Sequence, residues 1–92
     1  LFQDPNISPW FSDDYEVLNE REIWHNNRIH KPDRILTRGN KAVVIDYKKE
    51  KEAESHHDQV RRYMNAMYAL GFEAVEGHLI YVEPVIVREV KL

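Results

Sequence analysis

Gly39-Asn40, a pair of turn-forming residues between two apolar runs, constrains the fold of this chain more than any other feature. Such a pair is typical of the two-residue loop of a β-hairpin. Counting outward from the loop places Arg38 opposite Lys41 and, five residues further along each strand, Asp33 opposite Asp46. The hairpin is therefore predicted to bring two aspartates that are distant in sequence into a directly opposed pair.

The opposed aspartates need a compensating positive charge. Directly opposed side chains have Cβ atoms about 4.5–5.5 Å apart, and like charges at that distance are destabilising. Lys48 lies two residues after Asp46 and so points to the same face, about 6.6 Å further along the strand. Two carboxylates beside one ammonium group suit a divalent cation and a phosphate.

A surface cluster of ion pairs is the alternative interpretation of these three residues, because a lysine two residues from an aspartate is common. The apolar run at 42–45 argues against this alternative, since it predicts a buried strand that ends abruptly in charge. Buried carboxylates without partners cost free energy. We therefore favour a binding site over a surface cluster.

Composition limits the size and the class of the protein. The 92 residues are read as a single domain, 1–92, with an irregular lead-in over 1–14. Cysteine is absent, so carboxylate and imidazole are the remaining strong metal ligands. The net charge of -3 lacks the basic excess of a free-standing nucleic-acid-binding protein. Because the sequence has neither a signal peptide nor an apolar run long enough to span a membrane, we expect a soluble intracellular protein. Because it does not begin with methionine, we expect it to be a piece of a longer polypeptide.

Hydrophobic periodicity predicts an α/β fold, a mixed β-sheet of about five strands with at least one packed helix. The predicted strands cover residues 15–24, 33–37, 42–48, 74–82 and 85–90, with a turn at 25–28. A helix is expected to begin at Ser55, with Asp58 completing a capping box, and to end at Gly71. Its apolar stripe comprises Val60, Tyr63, Met64, Met67 and Leu70.

An ordered set of motifs resembles the RecB-like branch of the PD-(D/E)XK nuclease superfamily. The set consists of Asp33, then Asp46-Tyr47-Lys48, then Gln59 followed by Tyr63. The resemblance covers nearly the whole chain and is greatest to the nuclease module at the C-terminal end of UvrD/Rep-type DNA helicases. Four segments carry that similarity: Pro9-Trp10-Phe11-Ser12, residues 17–23, Pro32-Asp33-Arg34 and Gln59-Val60-Arg61-Arg62-Tyr63.

The resemblance implies a restriction-endonuclease-like fold and a site that holds Mg²⁺ or Mn²⁺. In this family pattern Asp33, Asp46, a glutamate of the preceding strand and the backbone carbonyl of Tyr47 would be the metal ligands. Lys48 would contact the scissile phosphate or the attacking water. These five groups form the expected catalytic centre.

Four further residues are given a role only by the resemblance. Glu20 and Glu22 share a face of the predicted strand. Glu20 is favoured as the ligand because it aligns better with the family's strand acid. Glu22 is the second choice, and the third possibility is that neither glutamate is a ligand. Gln59 and Tyr63 lie on one helical face and would close over the metal and help orient the DNA. Without Asp33 and Asp46-Tyr47-Lys48 earlier in the chain, Gln59 would be interpreted as an ordinary polar residue of the helix and Tyr63 as a core aromatic residue.

The five histidines raise the alternative of a zinc site. His56 and His57 are adjacent and diverge by about 100° on a helix, so they cannot chelate one ion together. His25, His30 and His78 have no ligand spacing with a carboxylate, so we interpret them as solvated or half-buried. Four basic residues either contact phosphates or form a solvated face: Lys49, Lys51, Arg61 and Arg62.

The resemblance implies a metal-dependent deoxyribonuclease of the bacterial cytoplasm. It would be an exonuclease module for DNA repair and recombination, supplied with single-stranded DNA or duplex ends by a helicase domain in the same chain. One alternative is a degenerate nuclease fold that only binds DNA or a partner. The lack of a predicted helix before Tyr15 to carry the family's upstream histidine ligand supports this alternative, and the intact set of Asp33 and Asp46-Tyr47-Lys48 opposes it. A second alternative is a stand-alone structure-specific endonuclease, which would need a basic surface and usually a dimer.

Overall fold

The computed structural model describes residues 15–19 and 21–92, which form seven strands and one helix. In chain order the elements are β1 (Glu16–Asn19), β2 (Ile23–His25), β3 (Arg28–His30), β4 (Arg34–Arg38), β5 (Lys41–Lys48), α1 (Glu54–Ala69), β6 (Ala74–Val82) and β7 (Val85–Val90). The predicted α/β class, a mixed sheet of five strands with a packed helix, is confirmed. Strands β6 and β7 have the bounds that the sequence predicts.

Five strands form the main sheet in the order β1-β4-β5-β6-β7, and β2 and β3 form a separate pair. Neighbouring strands of the main sheet are antiparallel except for β5 and β6, which are parallel. Parallel neighbours need a long crossover connection. Helix α1 supplies it and packs on β5 and β6, so one face of the sheet lies under the helix.

The hairpin of β4 and β5 has the predicted register. Arg38 pairs with Lys41, and Leu36 pairs with Val43, across the Gly39-Asn40 loop. Gly39 has a φ of 57°, as expected for the first central residue of a type II′ turn, and glycine adopts this conformation without steric cost. The turn therefore determines which side chains of the two strands face each other.

The single strand predicted over residues 15–24 is wrong, because strands of two different sheets occupy this region. β1 pairs with β4, whereas β2 turns back on β3 through Asn26-Asn27. Both asparagines have positive φ values, 52° and 60°, which is the pattern of a type I′ turn, and the predicted turn at 25–28 is confirmed. Alternating hydrophobicity indicates an extended segment, but it does not identify the strand with which that segment pairs.

The start of α1 differs from the prediction and its end agrees with it. The N-cap residue is Ala53 rather than Ser55, and no side-chain hydrogen bond caps the helix. With the N-cap at Ala53, the third helical position is His56, so Asp58 is too far along the helix to complete a capping box. Asp58 instead accepts a hydrogen bond from Nη1 of Arg61 at 2.8 Å. Gly71 follows the last turn with a φ of 109°, as predicted for a residue that ends a helix.

Apolar layers cover both faces of the main sheet. On the helix face the buried residues are Ile23, Ile35, Ala42, Val44, Val60, Tyr63, Met64, Ala66, Met67, Leu79, Tyr81 and Val90. On the opposite face they are Leu36, Val43, Ile45 and Ile80. The predicted apolar stripe of α1 is confirmed except at Leu70, which is 59% exposed beyond the last helical turn.

Gly77 of β6 lies directly under the helix. A Cβ atom at this position would lie 2.7 Å from Cγ1 of Val60 and would also overlap Sδ of Met64. Glycine therefore allows α1 to approach the sheet closely, and this approach sets the position of the polar side chains that the helix presents near the end of β5. No helix among the described residues is long and apolar enough to span a lipid bilayer.

Candidate metal and phosphate site

Asp33 and Asp46 are held together by backbone hydrogen bonds. The N–H of Asp33 donates to Oδ1 of Asp46 at 3.0 Å, and the N–H of Tyr47 donates to Oδ2 of Asp33 at 2.9 Å. Asp33 immediately precedes β4 and is exposed, whereas Asp46 is close to the end of β5 and only 3% exposed. The two predicted carboxylates are therefore adjacent, with the register that the hairpin loop imposes.

Each carboxylate has one oxygen that takes no part in these two hydrogen bonds. For Asp33 this atom is Oδ1, and for Asp46 it is Oδ2. Oδ2 of Asp46 lies 3.6 Å from Nζ of Lys48. Backbone donors thus fix the orientation of both side chains and leave one oxygen of each for a ligand.

A chain of hydrogen bonds joins Lys48 to the helix. Nζ of Lys48 donates to Oε1 of Gln59 at 2.7 Å, and Nε2 of Gln59 donates to the hydroxyl of Tyr63 at 2.9 Å. An ammonium group can only donate, so the amide oxygen of Gln59 must face Lys48 and the amide nitrogen must face Tyr63. The structure therefore brings together Lys48, Gln59 and Tyr63, as the sequence predicts, and Gln59 contacts the lysine directly.

Burial makes the charged form of Asp46 unfavourable. Desolvation, together with the nearby charge of Asp33, raises the pKa of Asp46 to about 6, although the backbone hydrogen bond from Asp33 and the charge of Lys48 oppose the rise. Burial also raises the pKa of Tyr63, and the charges of Asp46 and Asp33 add to that rise. The site thus contains more negative charge than Lys48 compensates.

The two carboxylates fit a divalent cation. A cation bound to the remaining oxygens would stabilise the ionised form of Asp46, whose pKa is raised mainly by burial. Among residues 15–19 and 21–92 no three His, Asp or Glu side chains gather in a metal-binding group. The pair would therefore supply two oxygen ligands, and hard cations readily complete such a set with water, backbone carbonyls and phosphate oxygens.

The remaining predicted ligands are the backbone carbonyl of Tyr47, which stays a prediction, and a glutamate, either Glu20 or Glu22. The N–H of Tyr47 is used by Asp33, and its ring packs on the face of the sheet opposite the helix. Glu22 is exposed and lies between β1 and β2, so no strand directs it toward the aspartates. The favoured ligand, Glu20, lies outside the described residues. β1 ends at Asn19, which pairs with Arg34, the residue next to Asp33.

Two histidines interpreted as solvated or half-buried are in fact buried. His30 is 7% exposed and His78 is 8% exposed. His30 packs edge-on against the ring of Tyr63, with ring centroids 5.9 Å apart. This contact depends on the strand pair β2/β3 lying against α1, which the prediction of one long strand over 15–24 could not reveal.

A cavity next to the site was also missed by the sequence analysis. It has a volume of about 350 Å³ and is lined by His25, Asn26, Arg28, His30, Arg62 and Asn65. The signal that could have indicated it is Asn26-Asn27 between two short alternating segments, because a type I′ turn predicts a hairpin whose alternate residues share one face.

Comparison of the chain with known protein families, with curated proteins and with solved structures gives no match.

Proposed function

We propose that this chain is the nuclease module of a helicase-nuclease, an exonuclease that hydrolyses DNA phosphodiester bonds with Mg²⁺ or Mn²⁺ and has the restriction-endonuclease-like fold. The observation that carries the proposal is the pair of adjacent carboxylates, Asp33 and Asp46, with the Lys48 ammonium 3.6 Å from one of them. The ordered motifs of the PD-(D/E)XK superfamily support it. DNA repair and recombination are the processes that this resemblance suggests.

Asp33 and Asp46 have the role of metal ligands in this proposal. The ligand atoms are the oxygens that do not accept the two backbone hydrogen bonds, Oδ1 of Asp33 and Oδ2 of Asp46, and the backbone donors of Asp33 and Tyr47 keep the two carboxylates from rotating. A divalent cation held by these two residues would supply a water of lowered pKa and would stabilise negative charge on the phosphoryl oxygens. Glu20 is proposed as a further ligand because of the family pattern alone.

Lys48 has the role of contacting the scissile phosphate or the attacking water. One of its three N–H donors is taken by Gln59, so two remain for phosphate oxygens or water. Gln59 is in turn held by Tyr63, which restricts the positions that the ammonium can adopt. Preorganised donors of this kind stabilise charge that develops in the transition state.

The charge of the chain supports delivery of the DNA by an attached motor. With a net charge of -3 the chain has no overall attraction for a polyanion. A UvrD/Rep-type helicase domain in the same polypeptide would hold single-stranded DNA or duplex ends near the site. We accordingly expect slow cleavage by the 92-residue chain alone.

The experiment is a cleavage assay with end-labelled single-stranded and duplex DNA in Mn²⁺, Mg²⁺ or chelator. Wild-type chain is expected to shorten the DNA only with metal, and both Asp46→Asn and Lys48→Ala should lower the rate by about 10²–10³. Lys91→Ala is the matched control, because it also removes one lysine charge but lies beyond β7, outside the site. Metal-dependent cleavage that survives Asp46→Asn would refute the proposed function.

Other outcomes of this assay correspond to the alternatives. DNA binding with no cleavage at any metal concentration would indicate a degenerate fold that only binds. Cleavage of branched DNA in preference to ends, by a dimer, would indicate a structure-specific endonuclease.

A further inference from the structure

The cavity beside α1 has a lining suited to anions. The inner face of the β2/β3 pair contributes His25, Arg28 and His30, and the helix contributes Arg62 and Asn65. No acidic side chain is among the described residues that line it. Its lining side chains are therefore cationic, imidazole or amide groups, all of which can donate hydrogen bonds to phosphate oxygens.

Arg28 and Arg62 have no ion-pair partner among residues 15–19 and 21–92. The next residue on the helix behaves differently: Nη1 of Arg61 contacts both Glu54 and Asp58, at 2.9 and 2.8 Å. Acidic residues outnumber basic ones in this chain, 16 to 13, so two unpaired guanidinium groups at one cavity are notable. Planar guanidinium groups match the geometry of phosphate.

His30 is a further polar group at the cavity. It is 7% exposed, and its Nε2 atom is buried without a hydrogen-bond partner among the described residues. Because this atom is inaccessible to solvent, the exposed groups that a ligand in the cavity would contact are the guanidinium groups of Arg28 and Arg62.

A series of side-chain contacts connects the cavity to Lys48 at the carboxylate pair. His30 packs against Tyr63, whose hydroxyl is held by Gln59, the amide that contacts Lys48. Along the chain, His30 precedes Asp33 by three residues, which span at most about 11 Å. Successive phosphates of one strand of stacked DNA are separated by about 3.4 Å along the helix axis. A strand whose scissile phosphate lies at the carboxylates would therefore have another phosphate at the cavity about one to three nucleotides away.

We propose that this cavity binds a non-scissile backbone phosphate of the nucleic-acid strand, through Arg28 and Arg62. The inference rests on the proposed function, since it places the substrate strand across both sites. The cavity holds the strand by charge and by bidentate hydrogen bonds, and it contributes to binding rather than to the chemical step. It compensates locally for the acidic balance of the chain.

The test measures the binding of a fluorescently labelled single-stranded oligodeoxynucleotide in chelator, where no cleavage occurs, over a range of salt concentrations. Arg28→Ala and Arg62→Ala should each weaken binding at low salt by about tenfold. Each should also reduce the slope of log K against log salt by about 0.7, the value for one phosphate contact on a single strand. A merely structural role would not change this slope.

Two variants serve as controls. Arg88→Ala also removes one arginine charge, but Arg88 is on β7 and pairs with Glu52, so its effect on affinity and slope should be much smaller. Arg28→Lys keeps the charge and loses the planar fork, so it should retain the slope and lose part of the affinity. Both cavity arginines are exposed, and thermal unfolding confirms that each variant is folded.

Several results would overturn the inference: no measurable binding by the wild type, slopes unchanged in both alanine variants, or an equal loss in Arg88→Ala. Competition by inorganic phosphate as strong as that by the oligonucleotide would indicate a site for free phosphate and would also overturn it. The proposed function fails separately. If the arginine variants leave the salt slope unchanged while Asp46→Asn abolishes cleavage, only the proposal for the cavity is refuted. If the arginine variants change the slope but no metal-dependent cleavage is seen, only the proposed nuclease function is refuted.

Discussion

The backbone N–H of Asp33 donates to the carboxylate of Asp46 at 3.0 Å, so the two acids that the hairpin brings together are also connected by a hydrogen bond. This donor offsets part of the repulsion between the carboxylates, as does Lys48 at 3.6 Å. Burial outweighs both, because the pKa of Asp46 is still raised to about 6. The two carboxylates are therefore held side by side although their negative charges repel each other.

Asp46→Asn is expected to be more stable than the wild type without metal and less stable than the wild type with metal. In chelator at neutral pH the variant should be more stable than the wild type by about 0.2–1 kcal/mol, the scale of a like-charge pair across two strands. With Mn²⁺ at a hundredfold excess over Kd the wild type should gain about 2.7 kcal/mol, and the variant should gain less. Thermal or denaturant unfolding in the two conditions measures this. A variant that is less stable even in chelator would mean that Asp46 supports the fold.

The pH dependence of stability in chelator should differ between the same two proteins. The pKa of Asp46 is raised in the folded state from 3.8 to about 6, so the folded protein binds this proton more tightly than the unfolded chain does. Its contribution to stability is complete below about pH 4 and is lost as the pH rises through about 6. The difference between Asp46→Asn and wild type should therefore grow over that range in urea titrations. A constant difference would contradict the buried, raised-pKa carboxylate.

Gln59→Leu should impair cleavage while leaving metal affinity unchanged. The variant removes the acceptor of Lys48 and the anchor on Tyr63, so the ammonium group is less well positioned in the transition state. We expect kcat to fall by about tenfold or more, with a small change in KM. Tyr63→Phe keeps the ring and removes only the anchor, so its effect should be smaller. Equal rates for wild type and Gln59→Leu would exclude a positioning role.

Gly77→Ala should destabilise the fold through the contact between β6 and α1. The added Cβ would overlap Met64 and Val60, and overpacking of this kind costs about 1–3 kcal/mol. Met64 can move aside because its side chain is flexible, whereas Val60 is stiff at χ1. Val60→Ala in the same chain should therefore recover part of the loss, measured as a double-mutant cycle. Simple additivity of the two substitutions would show that the close approach is not the cause.

Some elements follow from local sequence. The Gly39-Asn40 loop sets the register of β4 and β5, and this register is the reason that Asp33 and Asp46 meet. Helical periodicity predicts that Gln59 and Tyr63 share a face, and they are hydrogen-bonded to each other. Each of these features depends on residues within one turn of helix or across one tight loop, where the chain itself fixes the geometry.

Other features were decided only by the tertiary structure. The segment over 15–24 divides between two sheets because β1 finds its partner in β4 and β2 finds its partner in β3. The burial of His30 and the cavity between Arg28 and Arg62 arise where the β2/β3 pair meets α1. Local patterns by themselves determined the hairpin, the helix and the acid pair. The pairing partners, the buried histidine and the cavity required contacts between distant segments, whose free energy depends on the packing of the whole chain rather than on the propensity of any single segment.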